Sequence, residues 1–186
     1  MTVTVSIVSH GHHSLLPPLL SDIADCPEVE HLILTLNRPE PIPTLPQPLA
    51  HRTTLILNST PKGFGANHNA AFAHCRTPYF AILNPDLRLP HNPFPTLLAT
   101  LANSGAAIAS PSILNPSGAI EDHARHFPTV KSLLRKLFRQ SDDRYRYTFH
   151  TPPFPPQWLA GIFLLVRHDA FAALKDTLNK SAFDWK

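Results

Sequence analysis

Three short stretches of the chain carry the residue types that could do chemistry. Gly63 to Asn69 (GFGANHN) opens on a glycine and places polar side chains where a helix begins. Backbone N–H groups and the helix dipole favour an anion or a polar ligand at such a point. For Asn67 and Asn69, simple helix capping is the competing reading. Further along, Asn84-Pro85-Asp86 sets one carboxylate beside an amide carbonyl. That pair suits a hard divalent cation, which keeps several waters and bridges to substrate phosphates, so one or two protein carboxylates suffice. An ordinary Asn-Pro-Asp turn is the alternative. His10, His12 and His13 cluster around Gly11. A metal there would need another ligand from a distant segment, and a polar loop at a strand end explains the cluster as well. Dinucleotide and P-loop chemistry are disfavoured: a GxGxxG fingerprint needs a glycine where His68 stands, and GKS or GKT occurs nowhere.

The elements that must position these residues follow from hydrophobic period. Val3–Val8 is a buried strand ending at Ser9-His10-Gly11, and a helix follows in which Leu15, Leu16, Leu19, Leu20 and Ile23 recur at helical spacing. Ser14 is its expected cap, and Pro17 and Pro18 are tolerable only in its first turn. Strands are predicted at His31–Leu36, Thr53–Leu57, Tyr79–Leu83, Ala106–Ala109 and Trp158–Val166. Helices are predicted at Ala66–His74, Thr96–Ala102 and Asp169–Leu178, and the proline-laden Pro39–Pro48 reads as a loop. Alternating strands and helices predict one α/β domain over residues 1–186, with a mostly parallel sheet covered on both faces. Ligands of such sheets bind beyond the carboxyl ends of the strands. That rule selects Ser9-His10-Gly11, Thr35-Leu36-Asn37, Asn58-Ser59 and Asn84-Pro85-Asp86.

Composition narrows the class. At 186 residues with 43% hydrophobic content, the chain can bury a core without staples and is not disordered. Its 21 prolines are scattered without period, as rigid loops require. A net charge of +3 suits phosphate-bearing ligands or an anionic membrane surface and is too weak for a dedicated nucleic-acid binder. Cys26 and Cys75 lack CxxC spacing, which favours two buried free thiols in a reducing compartment. The N-terminus lacks signal-peptide character, and the longest apolar run, Trp158–Val166, falls far short of the roughly 18 to 20 residues that span a bilayer. Lys131–Gln140 (KSLLRKLFRQ) separates apolar from basic residues as an interfacial helix would, although a surface helix packed on its own sheet has the same pattern.

The order VSIVSHGH, ILTLN, PKGFGANHNAAF, YFAILNPDLRLP and WLAGIFLLVRHDAF resembles the family 2 glycosyltransferases of GT-A fold, above all their bacterial rhamnosyltransferase-like branch. GFGANHN followed by LNPD is the most specific part. The resemblance implies a GT-A, Rossmann-like α/β fold. It also implies metal-assisted, inverting transfer of a sugar, such as rhamnose or another deoxyhexose, from a dTDP- or UDP-linked donor to a cell-surface or lipid-linked glycan. Donor binding would then fall to Ser9, His10, Asn37, Gly63, Gly65, Asn67, Asn69 and Asn84, and Mg²⁺ or Mn²⁺ to Asp86. Leu36 stands where many members carry an Asp, which leaves Asn37 alone at that strand end. The expected location is cytoplasmic, with peripheral contact to the inner membrane face through 131–140.

Similar family members continue past a Phe-Asp pair, here Phe183-Asp184, to an acidic pair that supplies the acceptor base. This chain stops at Lys186 with no match to it, so the resemblance implies a truncated C-terminus and leaves the catalytic base unassigned, Asp184 being the substitute candidate. A non-catalytic nucleotide-sugar-binding module is therefore the alternative function.

Overall fold

The computed structural model describes residues 1–127, 129 and 144–181. Segment 131–140 and Asp184 therefore lie outside the described residues. The strands are β1 (Val3–Ser9), β2 (Val29–Leu36), β3 (Thr53–Leu57), β4 (Tyr79–Leu83), β5 (Ile108–Ala109), β6 (Ala124–Arg125), β7 (Trp158–Leu159) and β8 (Phe163–Arg167). The helices are α1 (Leu16–Ala24), α2 (Gln47–Ala50), α3 (Phe64–Phe72), α4 (Phe94–Ser104) and α5 (His168–Ser181). A six-stranded sheet runs in the order β3-β2-β1-β4-β8-β5, and β6 and β7 form a separate two-stranded ribbon.

The pairs β1/β2, β1/β4 and β2/β3 are parallel, and β8 is antiparallel to both β4 and β5. A mostly parallel sheet is what the alternation of elements predicts. Helices cover both faces of the sheet, and β2 and β4 accordingly carry core residues on both. On one face, Val3, Val5 and Ile7 of β1 join Leu16, Leu19, Leu20 and Ile23 of α1 and Phe94, Leu97, Leu98 and Leu101 of α4. On the other, Ile33, Phe80 and Ile82 meet Ala71 and Phe72 of α3 and Phe171 of α5. Phe72 is the hub of that second layer, with ring centroids 5.3 Å from Phe80 and 4.5 Å from Phe171. The intervening β1 residues on this face are polar: Thr4 bonds Thr77 at 2.8 Å and Ser6 bonds His68 at 2.9 Å.

Several local expectations are corrected. Ser14 does not cap α1. A 3-10 turn at His13–Leu15 leads in, Leu15 is the cap without a side-chain bond, and the prolines occupy the first turn, where their missing N–H groups cost nothing. Helix α2 begins only at the end of the proline-rich loop, with a proline in its own first turn. The Trp158–Val166 run is not one strand, since Ala160–Ile162 separates β7 in the ribbon from β8 in the main sheet. Backbone pairing explains the break: Ala160 N–H donates to His123 O at 2.8 Å, whereas Ile162 O accepts from Asn84 N–H at 2.9 Å. Apolar character alone cannot reveal that one run serves two sheets. Cys26 and Cys75 are buried and unpaired, and among the described residues no helix is long and apolar enough to cross a membrane.

Candidate active site

At the carboxyl ends of β1, β2 and β4, facing the N-terminal turns of α3, lies a cleft of about 270 Å³. His10, Asn37, Asn67, Asn84 and Asp86 all line it. Residues from four separate elements thus converge where the strand-end rule places a ligand. Ser9, Gly63, Gly65 and Asn69 are not among its lining residues.

Asn37 and Asn67 line the cleft, but their amide groups are already engaged. Asn58 Nδ2 donates to Asn37 Oδ1 at 2.9 Å and to Asn67 Oδ1 at 2.7 Å. Asn37 Oδ1 also accepts from Lys62 N–H, and its Nδ2 donates to Lys62 O and His10 Nδ1. Asn67 Nδ2 donates to Lys62 O and Gly63 O, both at 3.1 Å. Every donor of the three amides is used. The network pins the Lys62-Gly63 turn that launches α3, so Asn37 and Asn67 shape the site instead of offering free groups to a donor nucleotide. Gly63, the cap residue, provides no side-chain bond, which leaves the first-turn N–H groups of α3 to an external acceptor. A Cβ on Gly63 or Gly65 would meet nothing within 4 Å and neither has positive φ, so the structure gives no steric reason for glycine there.

The loop after β1 is held from a distance. Glu40 accepts from Gly11 N–H through Oε1 at 3.2 Å and from His13 N–H through Oε2 at 3.1 Å. Ser9 is buried, its Oγ accepting from His12 N–H at 3.1 Å, so it too supports the loop. Gly11 turns with φ +85°, a conformation that L side chains resist, and the Arg38 side chain lies against it. His10 and His12 are thereby presented to the cleft. Among the described residues, no three His, Cys, Asp or Glu side chains converge as a metal site.

Opposite stands the turn after β4. The Asp86 carboxylate and the Asn84 side chain make no hydrogen bond or ion pair among the described residues. Both face the cleft, and this donor set of one carboxylate and one amide carbonyl fits Mg²⁺ or Mn²⁺ that completes its shell with water and phosphate. The turn is anchored behind by Asp22 of α1, which accepts from Arg88 through both oxygens at 2.7 and 3.1 Å and from Leu89 N–H at 2.8 Å. The Arg88 hydrogen bond holds the Asp22 carboxyl below its ordinary range.

Three residues at the site are not singled out by the sequence reading: Phe64, His68 and Gly161. Asn58 stood at a selected strand end, and its role as the bridge between two other asparagines required their relative placement. His68 is 2% exposed, and burial lowers its pKa to about 4. Phe64 is 52% exposed, and its ring meets that of His68 edge-on at 4.4 Å between centroids. A Cβ on Gly161 would stand 3.2 Å from Phe64 Cζ, so the absent side chain makes room for this ring. Asn69, by contrast, is part-buried in α3 away from the cleft lining.

Residues 37–172 match the family described as Glycosyl transferase family 2, more than half of the chain. No curated protein matches. Among solved structures, S. aureus TarS 1–349 superposes with a TM-score of 0.58 at 14% identity over 95% of this chain and 49% of that one. The same TarS fragment in complex with UDP-GlcNAc gives 0.52 at 12% identity over 66% and 38%. The mannosyltransferase PcManGT from Pyrobaculum calidifontis, in complex with GDP-Man and Mn²⁺, gives 0.49 at 14% identity over 62% and 36%. The chain spans at most half the length of these structures. With the sheet order and two-faced helix cover described above, the TarS likeness identifies the fold as GT-A, and the sequence match shows that the chain belongs to glycosyl transferase family 2.

Proposed function

We propose that this chain binds a nucleoside-diphosphate sugar in the cleft between His10, Asn84, Asp86 and the start of α3, and serves transfer of that sugar to a glycan hydroxyl. The observation that carries the reading is the convergence of an unengaged carboxylate, Asp86, with the uncapped N-terminus of α3 across one cleft. Asp86 and Asn84 would hold the divalent cation, which when bound neutralises the diphosphate leaving group. The free N–H groups of α3 suit a phosphate oxygen, and His10 offers a polar edge to the nucleoside. A structure of similar fold is a complex with UDP-GlcNAc, in line with a nucleotide sugar as the ligand class.

The finer identity follows the family branch that the motifs resemble. A deoxyhexose such as rhamnose, carried on dTDP or UDP, is the proposed donor, and a cell-surface or lipid-linked glycan is the proposed acceptor. The proposed location is the cytoplasm, peripheral to the inner membrane face.

Calorimetric titration with dTDP, UDP and GDP, each with and without Mn²⁺, tests the reading. A metal-dependent signal with one nucleotide is expected, and the same ligand at 100 times its Kd should stabilise the fold by about 2.7 kcal/mol. Absence of binding by all three to the folded chain overturns the proposal. Binding without transfer to any glycan acceptor leaves a nucleotide-sugar-binding module instead.

A further inference from the structure

Among the described residues, the wall of the cleft contains one buried side-chain polar atom that the fold leaves without a partner. His68 lines the cleft from the second turn of α3, and its Nε2 is buried and makes no hydrogen bond. A buried polar atom left unpaired is costly, and such atoms in native proteins call for an explanation. Its other nitrogen, Nδ1, lies 2.9 Å from Ser6 Oγ on β1, and this is the one hydrogen bond the Ser6 hydroxyl makes among the described residues. The buried hydroxyl proton is satisfied only if Ser6 donates to Nδ1. The imidazole proton then resides on Nε2. In the opposite tautomer both the Ser6 proton and the Nε2 lone pair would be orphaned, a worse outcome by one group.

The ring that packs against this imidazole stands at the cleft and not in the core. The Phe64 ring meets the imidazole edge-on, yet it is half exposed, lines the same cleft, and has its far edge against Gly161, where no side chain confines it. We propose that His68 is a ligand-contacting residue, a neutral imidazole locked by Ser6 that donates its Nε2–H to an oxygen of the nucleotide sugar once the Phe64 ring moves aside. Burial disfavours the imidazolium, so the contact is a directional hydrogen bond and not a fixed cation for the diphosphate. This inference rests on the nucleotide-sugar reading and deepens it.

The test uses the full chain with UDP, dTDP and GDP in the presence of Mn²⁺. In ¹⁵N spectra of histidine side chains, His68 should show the Nε2-protonated neutral form near pH 7, and its Nε2 resonance should move on titration with the nucleotide that binds. His68→Asn keeps an amide where Nδ1 stands but cannot reach the ligand, and should raise the Kd about tenfold. His68→Gln extends an amide to the Nε2 position and should stay within about threefold of the parent, since it can restore the bond. A proton on Nδ1, an Nε2 resonance unmoved at saturation, or an unchanged Kd in His68→Asn overturns the assignment. Should His68→Asn fail to fold, the spectra of the unsubstituted chain decide alone. If the unsubstituted chain binds no nucleotide, the proposed function fails and carries this inference with it; binding with an indifferent His68 removes the inference only.

Discussion

Asn58 Nδ2 sits 2.7 Å from Asn67 Oδ1, and through this bond the end of β3 holds the start of α3. The same amide reaches Asn37 at the end of β2, so one side chain sets the spacing of two strand ends and a helix N-terminus. All three amides are buried, which makes the arrangement stiff when complete and costly when broken.

Asn58→Leu removes both donations and leaves Asn67 Oδ1 buried without a partner. Urea unfolding should show a loss of about 1–3 kcal/mol, and nucleotide affinity should fall with it because the Lys62-Gly63 turn is released. Unchanged stability would mean that the network is not what holds the turn.

Asp86→Ala should behave in the opposite way. Its carboxylate makes no bond among the described residues, so stability should change by less than about 0.5 kcal/mol. The Mn²⁺-dependent part of nucleotide binding should vanish, as read by calorimetry with and without the metal. Full metal dependence in the variant would remove Asp86 as the cation ligand.

His68 predicts an acid-sensitive fold. Its pKa is about 4 in the folded chain against 6.5 for an ordinary histidine, because burial disfavours the charged ring. Between those values the unfolded chain takes up a proton that the folded chain refuses, so stability falls as the pH drops from about 6.5 to about 4, by about 3 kcal/mol in all. Below that the slope from this residue ends. Asp22 acts lower still: the Arg88 bond holds its carboxyl below the ordinary range, so its contribution is present above that range and lost as the pH falls through the folded value. Urea midpoints between pH 4 and 7 for the parent and His68→Gln check this, and equal slopes would show that His68 does not carry the effect.

Gly11→Ala forces a side chain onto a residue at φ +85° and into contact with Arg38. A cost of about 1 kcal/mol or more is expected from the backbone alone. The loop bearing His10 and His12 should loosen from Glu40, seen as reduced amide-exchange protection at Gly11 and His13, whose N–H groups that carboxylate accepts. Retained protection would show that Glu40 tolerates the shift.

Much of this molecule is legible in its sequence. The apolar runs of β1, β2 and β4, the Leu16-Leu19-Leu20-Ile23 stripe and the turns after the strands are local properties, because burial period and backbone restriction act over a few residues. They determined the α/β class, the parallel core of the sheet and the strand ends that meet at the cleft, including Asp86. What only the tertiary structure decided concerns how side chains were used once there. Asn37 and Asn67 read as ligand-binding groups, yet their hydrogen bonds are consumed by Asn58 and the Lys62 turn. His68 read as the residue that breaks a glycine fingerprint, yet it is the buried wall of the cleft. The Trp158–Val166 run read as one strand, yet it divides between a ribbon and an antiparallel neighbour of β4. Hydrogen-bond capacity is finite and is allotted among partners far apart in the chain, so an amide or imidazole shows its role only when the distant groups competing for it are in place.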